Sequence, residues 1–174
     1  MLKDGVTLTL NYRKVLPNES EEVFLLLKSA AEWLRERGIN YWQDWHNPPQ
    51  NFKDWIMEGI INGEFYFAED ETDIAGMFRV QYSDEMFWGK RTDSAAYLHS
   101  FTTVRKNYGR GIGTTMLKDI ERLMAEKGIA YLRLDCSADV ARLCKYYENA
   151  GFMAVGEIKL FDDTMTLYEK KVVG

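Results

Sequence analysis

Hydrophobic and polar residues alternate along this chain with two different periods. Short runs of β-branched, aliphatic and aromatic residues, bounded by turn-forming residues, predict strands. Seven such runs cover residues 6–15, 64–68, 74–82, 95–104, 130–135, 153–161 and 165–172. Apolar residues that recur every three or four positions predict helices at residues 18–38, 52–61, 112–127 and 139–150.

The order of these elements predicts the fold class. Several strands follow one another with only a turn between them, which is typical of antiparallel pairing, whereas the helix at 112–127 can carry the chain across to a parallel neighbour. We therefore expect an α+β (α/β) fold, a mixed, mostly antiparallel sheet of six to seven strands flanked by about four helices. Residues 83–92 are expected to form a loop. No repeat or linker divides residues 1–174, so we expect a single domain.

Composition and charge narrow the classes of function. The 174 residues carry 22 basic and 27 acidic side chains, a net charge of −5, which disfavours binding to nucleic acid. No apolar run approaches the ~20 residues of a membrane span, and the first residues lack a signal-peptide pattern. We therefore expect a cytoplasmic protein without a membrane partner. Cys136, Cys144, His46 and His99 lack metal-ligand spacing, so no metal is expected.

The stretch at residues 98–114 combines a strand, a short turn and the start of a helix. The strand ends at Val104, and three glycines alternate with larger residues between positions 109 and 113. Glycine tolerates positive φ and lets the backbone approach a ligand closely, and the first amides of a helix are unpaired. These features favour a bound phosphate or pyrophosphate, although a tight turn without a ligand could have the same residues.

Two short motifs carry a resemblance to a known family. Residues 108–113 resemble motif A of the GCN5-related N-acetyltransferases (GNAT), in which Gln/Arg-x-x-Gly-x-Gly/Ala follows a strand. Gly111 and Gly113 match, whereas Tyr108 stands where the family has Gln or Arg. Residues 147–152 resemble motif B, Tyr-x-x-x-Gly-Phe. The elements between the motifs also have the family's order, so the chain resembles the acyl-CoA N-acyltransferase fold over nearly its whole length.

The resemblance implies acetyl-CoA as the donor and a primary amine, on a small molecule or a peptide, as the acceptor. It implies an acceptor-side half at about residues 1–92 and an acetyl-CoA-binding core at about residues 93–161. The pantetheine arm would run beside the strand before the glycines, and backbone amides of residues 108–114 would hold the pyrophosphate. Asp139 stands where the family often has an Asn that touches the arm. The implied cofactor-binding residues are Phe101, Thr102, Thr103, Val104, Tyr108, Gly109, Arg110, Gly111, Ile112, Gly113, Thr114 and Asp139.

Acetyl transfer needs a proton donor for the departing thiolate and a base for the ammonium acceptor. The resemblance implies that Tyr147 is the donor, since a phenol of reference pKa ~10 stays protonated at neutral pH; the alternative is a packed ring. Tyr146 is the weaker candidate. His99 is the candidate base, and a histidine satisfied by a neighbour is its alternative. Rivals for the base are Glu69, Asp135 and Glu157.

Aromatic residues are concentrated around a Pro-Pro pair at residues 41–52 and recur at 83–92. Trp42, Trp45 and Trp55 could surround an amine or apolar acceptor, and Trp88 is a further candidate. The alternative is that these rings anchor loops to the core. The residues do not identify the amine, because acceptor pockets are assembled from variable loops.

Two other functions remain open from the sequence. One is a non-catalytic domain that binds or senses acyl-CoA, and the other is a transferase of a different acyl group. An exposed C-terminal strand could also pair across a homodimer.

Overall fold

Seven strands form one mixed sheet in the computed structural model, which describes residues 8–172. The strands are β1 (Asn11–Lys14), β2 (Phe65–Glu69), β3 (Ile74–Gln81), β4 (Ala95–Thr103), β5 (Tyr131–Ser137), β6 (Met153–Leu160) and β7 (Asp163–Lys171). Their order in the sheet is β1-β2-β3-β4-β5-β7-β6. Only the β4–β5 pair is parallel among the described strands, which confirms the predicted mixed, mostly antiparallel sheet.

Five α-helices cover the two faces of the sheet in the described part of the chain. They are α1 (Ser20–Glu36), α2 (Gln50–Ile61), α3 (Glu85–Trp88), α4 (Ile112–Glu126) and α5 (Ala141–Asn149). Apolar stripes of α1 and α2 pack on the sheet through residues such as Leu27 and Ile56, next to Phe65 and Met77. The stripes of α4 and α5 pack on the opposite face, where both helices contact the largest buried cluster.

Several boundaries differ from the sequence-based expectation. Residues 6 and 7 of the predicted first strand lie outside the described residues, and β1 itself is short. Part of the predicted loop at residues 83–92 is the one-turn helix α3, because the Asp84 carboxylate accepts a hydrogen bond from the Phe87 amide and caps it. The position of β7 between β5 and β6 is a tertiary arrangement that periodicity does not encode.

Within residues 8–172, none of the helices has both the length and the apolar composition that crossing a membrane requires.

Candidate active site

The two parallel strands at the centre of the sheet separate towards their carboxyl ends. Pairing between β4 and β5 runs only from Ala95 with Tyr131 to Tyr97 with Arg133, after which β5 pairs only with β7. In β4, Ser100 has a φ of 50°, and the register shifts so that Ser100 and Phe101 together oppose Phe78 of β3. The facing edges beyond Tyr97 therefore offer backbone groups to an extended ligand.

The predicted glycine turn lies at the end of β4 and has the conformation that its residues suggested. Gly109 and Gly111 have φ values of 80° and 76°, and a Cβ added to Gly113 would lie 2.7 Å from the Tyr146 hydroxyl oxygen. The first backbone hydrogen bond of α4 is donated by the Thr115 amide to the Gly111 carbonyl oxygen. The amides of residues 112–114 therefore have no partner within the helix and are available to an anion.

Two backbone amides expected to face the pyrophosphate are already bonded within the turn. The Tyr108 amide donates to the Arg105 carbonyl oxygen at 3.0 Å, and the Arg110 amide donates to the Asn107 carbonyl oxygen at 3.2 Å. The turn at Arg105–Asn107 thus occupies these two amides in this structure, and the predicted contact of Tyr108 and Arg110 with the pyrophosphate stays a prediction.

Cationic and aromatic side chains surround this glycine turn. The Tyr108 ring packs 5.4 Å from Trp33 of α1, and its hydroxyl accepts a hydrogen bond of 2.7 Å from Arg142 of α5. Arg37 lies 3.8 Å above the Trp33 ring. Burial, and then the charge of Arg37, lowers the pKa of Arg105. Tyr108 was predicted from the sequence; the other residues come from three distant segments, so no local pattern identified them.

Buried hydrogen-bond donors beside the turn also lack a partner. Within the described residues, Arg105 Nε and Asn107 Nδ2 are buried without a hydrogen bond. Unsatisfied buried donors are costly, typically by about 1–3 kcal/mol each. Together with the cations and the free helix amides, they fit a phosphate-bearing ligand at this position.

Tyr147 and Tyr146 point in different directions from α5. Tyr147 is 6% exposed and packs against Phe152 and Tyr168. Burial raises the pKa of its phenol well above 10, and the neighbouring Cys136 and Tyr41 raise it further. Tyr146 instead reaches the glycine turn. Tyr147 is therefore packed and also held protonated, so its predicted role as proton donor stays a prediction.

His99 lies in a cluster with two carboxylates on the α1/α2 face of the sheet. His99 Nε2 is 3.0 Å from Asp84 Oδ2, and one ligand atom each of Asp84, His99 and Asp135 lie within 4.8 Å of one another. The His99 and Asp84 atoms are not aligned for a hydrogen bond. Burial raises the pKa of Asp135 to about 6, although His99 acts in the opposite direction.

The structure separates the rival bases. Asp135 joins His99, whereas Glu69 of β2 forms an ion pair with Arg13, and Glu157 is exposed on the edge strand β6. Asp84 was not among the site residues predicted from the sequence. An Asp before an aromatic run indicates a helix cap, but this local pattern does not place Asp84 beside β4.

The predicted aromatic residues divide into two groups. Trp55 contacts the His99 ring edge-on at 5.7 Å, as Phe87 does at a tilt and 5.8 Å. Trp42 has a φ of 63° and, like Trp45, packs on the cluster beneath α1 and α2. Trp88 is 5% exposed and packs under Arg133 and Tyr97, which favours the alternative of a packed ring, and its predicted acceptor contact stays a prediction.

An open cavity of about 350 Å³ lies at the carboxyl end of β5. It is lined by the 38–40 loop after α1, by Asp139 of the β5–α5 connection and by Arg142 at the start of α5. Asp139 is exposed, which leaves its carboxylate free to face this cavity. The cavity thus adjoins the end of the strand whose edge is unpaired.

Comparisons with known proteins agree with this geometry. An uncharacterized N-acetyltransferase YesJ of Bacillus subtilis (strain 168) is 29% identical over 154 residues, which are 79% of this chain and 78% of that protein. A GNAT-family acetyltransferase of Listeria monocytogenes 4b F2365 superposes with a TM-score of 0.76 at 26% identity, over 95% of this chain and 98% of the other.

A third similar protein was solved with a ligand. The PaiA N-acetyltransferase of Thermoplasma acidophilum, in complex with coenzyme A, has a TM-score of 0.69 at 20% identity, over 94% of this chain and 99% of the other. The model of the acetyltransferase (GNAT) family matches residues 27–152, which is most of the chain. The chain with the separated β4–β5 strands and the glycine turn therefore belongs to the GNAT family of acetyltransferases and is an acyltransferase.

Proposed function

We propose that this protein transfers the acetyl group of acetyl-CoA directly to a primary amine. The observation that carries the proposal is the opening between β4 and β5, which ends at a glycine turn with free helix amides. A structural neighbour with the same fold was solved with coenzyme A. In this proposal residues up to about 92 form the acceptor side, and residues from about 93 to 161 form the cosubstrate side.

The residues at the opening suit the two ends of the cosubstrate. The amides of residues 112–114 and the cations Arg105 and Arg142 would hold its phosphates, and the edge of β4 from Phe101 to Val104 would pair with its pantetheine arm. Bound there, acetyl-CoA supplies an activated thioester carbonyl. Backbone amides at the Ser100 bulge are the candidate donors to the carbonyl oxygen as negative charge develops on it.

The side chains beside the opening supply the proton transfers. His99 takes a proton from the ammonium acceptor, and Asp84 stabilises the resulting imidazolium at 3.0 Å. The freed amine lone pair forms the C–N bond as the C–S bond breaks, and the proton that the new amide nitrogen must then lose passes to solvent. Tyr147, kept protonated by burial, donates its proton to the departing thiolate and regains one from solvent.

The test compares thiol release by the purified protein with acetyl-CoA and a panel of primary amines. We expect release that depends on the amine. Tyr147→Phe should lower kcat on the order of 10²-fold and leave the KM for acetyl-CoA within about threefold, because only the proton donor is lost. Tyr168→Phe is the matched control, since Tyr168 is a buried tyrosine 6.1 Å from Tyr147.

Two outcomes would contradict the proposal. Equal kcat values for the Tyr147 and Tyr168 variants would exclude Tyr147 as the donor. Tight binding of acetyl-CoA without release by any amine would instead support a sensing domain.

A further inference from the structure

The cluster of Asp84, His99 and Asp135 lies where β4 and β5 begin to separate. His99 is two residues beyond the last β4 residue that pairs with β5, and Asp135 is two residues beyond its β5 counterpart. Alternate residues of a strand share a face, so both side chains project to the side covered by α1 and α2. Asp84, at the start of α3, closes the cluster from above the sheet.

The cluster contains polar atoms without a bonding partner. The Asp84 side chain is 7% exposed; its Oδ1 accepts from the Phe87 amide, and its Oδ2 has no hydrogen bond among the described residues. His99 Nε2 is likewise buried and unbonded. Because capping fixes one oxygen of Asp84, the other is directed at His99 and cannot turn to solvent for a partner. Such atoms indicate a site that a ligand completes.

The charge and geometry of the cluster suit an ammonium group. With neutral His99, the three side chains carry a net charge of −2. Arg79, the cation that interacts with Asp84, is already bonded to Glu64 and to the Trp55 carbonyl oxygen. A nitrogen placed between three atoms that lie within 4.8 Å of one another would be within about 2.8 Å of each, an ordinary hydrogen-bond length. An ammonium has three N–H donors for these three acceptors.

The walls of the cluster suit an aliphatic chain on that nitrogen. The rings of Trp55 and Phe87 both contact the His99 ring, with centroid distances of 5.7 and 5.8 Å. Their rings favour methylene groups next to a cation. A carboxylate within two or three bonds of the nitrogen would instead lie against Asp84 and Asp135, where like charges repel.

We infer that Asp84, His99 and Asp135 form the acceptor's ammonium subsite, and that the acceptor is an aliphatic primary amine without a nearby carboxylate. The inference rests on the proposed acetyl transfer and narrows its acceptor. It excludes free α-amino acids as good substrates.

The experiment uses matched acceptors and matched variants. Leucinol has a hydroxymethyl group where leucine has a carboxylate, and the two molecules are otherwise identical. We therefore compare their kcat/KM values as acceptors, with acetyl-CoA as the donor in both cases. We expect leucinol to be preferred by at least about 30-fold. Asp84→Asn and Asp135→Asn should each raise the KM for leucinol about 10-fold or more and reduce the preference, with the KM for acetyl-CoA unchanged. Glu85→Gln, an exposed neighbour of Asp84, should change neither value.

Each other outcome has a defined meaning. Equal use of leucine, or an unchanged KM in both Asn variants, would overturn the inference and leave acetyl transfer intact. If no amine of the panel is acetylated, the proposed function fails, and calorimetric binding of leucinol to the protein with coenzyme A decides the subsite. Loss of that binding in Asp84→Asn supports the subsite, and equal binding of leucine overturns it. Stoichiometric Zn²⁺ binding that Asp84→Asn abolishes and that excludes leucinol would also overturn it.

Discussion

Among single residues, Asp135 is the one whose surroundings most clearly oppose its charge. Burial raises the pKa of its carboxyl from 3.8 to about 6. The folded protein therefore binds this proton more tightly than the unfolded chain does. The resulting cost of folding is absent below about pH 3 and complete above about pH 6.5, where it reaches about 3 kcal/mol at 1.36 kcal/mol per pH unit. A carboxylate kept at such a cost is typical of a functional position.

Asp135→Asn should therefore stabilise the protein at neutral pH and much less in acid. We expect the free energy of unfolding to rise by up to about 3 kcal/mol at pH 7.5 and by only about 0.5 kcal/mol at pH 4, because at pH 4 the wild-type carboxyl is neutral in the folded protein and only partly ionised in the unfolded chain. Urea denaturation at the two pH values measures the difference. Asp162→Asn, on an exposed turn, is the control and should change neither. An equal gain at both pH values would show that charge is not the cause.

The sequence predicted some site residues and not others for a clear physical reason. Tyr147 follows from a motif, and His99 from its position on a strand before the glycine turn. Asp84 and Arg142 act through contacts with residues that are 15 and 34 positions away, respectively, along the chain: His99 and Tyr108. Such contacts depend on how elements pack. The packing of Trp88 beneath Arg133 was likewise not predictable, because an aromatic residue in a presumed loop can be either exposed or buried.

Among the elements, α4 has a glycine in the left-handed conformation at each end. Gly111 precedes its first residue with a φ of 76°, and Gly128 follows its end with a φ of 74°. A Cβ at either position would meet no atom within 4 Å. The two positions thus have the same backbone requirement, but only Gly111 borders the amides that we propose to hold phosphate.

Comparing Gly111→Ala with Gly128→Ala should separate the effect of backbone conformation on protein stability from an effect on coenzyme A binding. Each should destabilise the protein by roughly 1 kcal/mol, because alanine disfavours positive φ. Only Gly111→Ala should weaken coenzyme A binding, by 10-fold or more, since its methyl group would project towards the phosphates. Urea denaturation and titration calorimetry give the two quantities. Equal affinities in the two variants would place the phosphates elsewhere.

Element boundaries were predictable where periodicity is strong and runs are long. The α4 prediction differs from the structure by one residue, because its apolar stripe and its glycines mark both ends. The helix α3 has four residues and too few positions to show a period. The parallel pairing of β4 and β5 followed from the intervening helix, but the insertion of β7 beside β5 did not, because either strand of the last hairpin could fill that place.

For the molecule as a whole, the two central strands β4 and β5 are hydrogen-bonded to each other at one end and separated at the other. Arg133, 2% exposed, lies in the last paired position and bonds to the Tyr97 hydroxyl of β4, to Glu169 of β7 and to Asp93. Its hydrogen bonds hold three segments together at the vertex of the opening. The candidate site is therefore the gap between β4 and β5 in an otherwise continuous sheet. The buried Arg133 lies where the gap begins, and α4 begins beyond the end of β4.

Coenzyme A bound in this gap should form hydrogen bonds with backbone groups that have no partner in the sheet, and amide hydrogen exchange can detect them. We expect the amides of residues 98–103 that do not pair with β3, and the amides of residues 112–114, to exchange at least about 10-fold more slowly with saturating coenzyme A, because an inserted arm and phosphates would accept from them. Amides of β2 and β6 should change much less, since their pairing is complete or distant from the opening. Local protection should accompany a rise in global stability of about 2.7 kcal/mol at 100 times the dissociation constant. Protection confined to α1 and α2, with none in β4, would show that the ligand binds outside the opening.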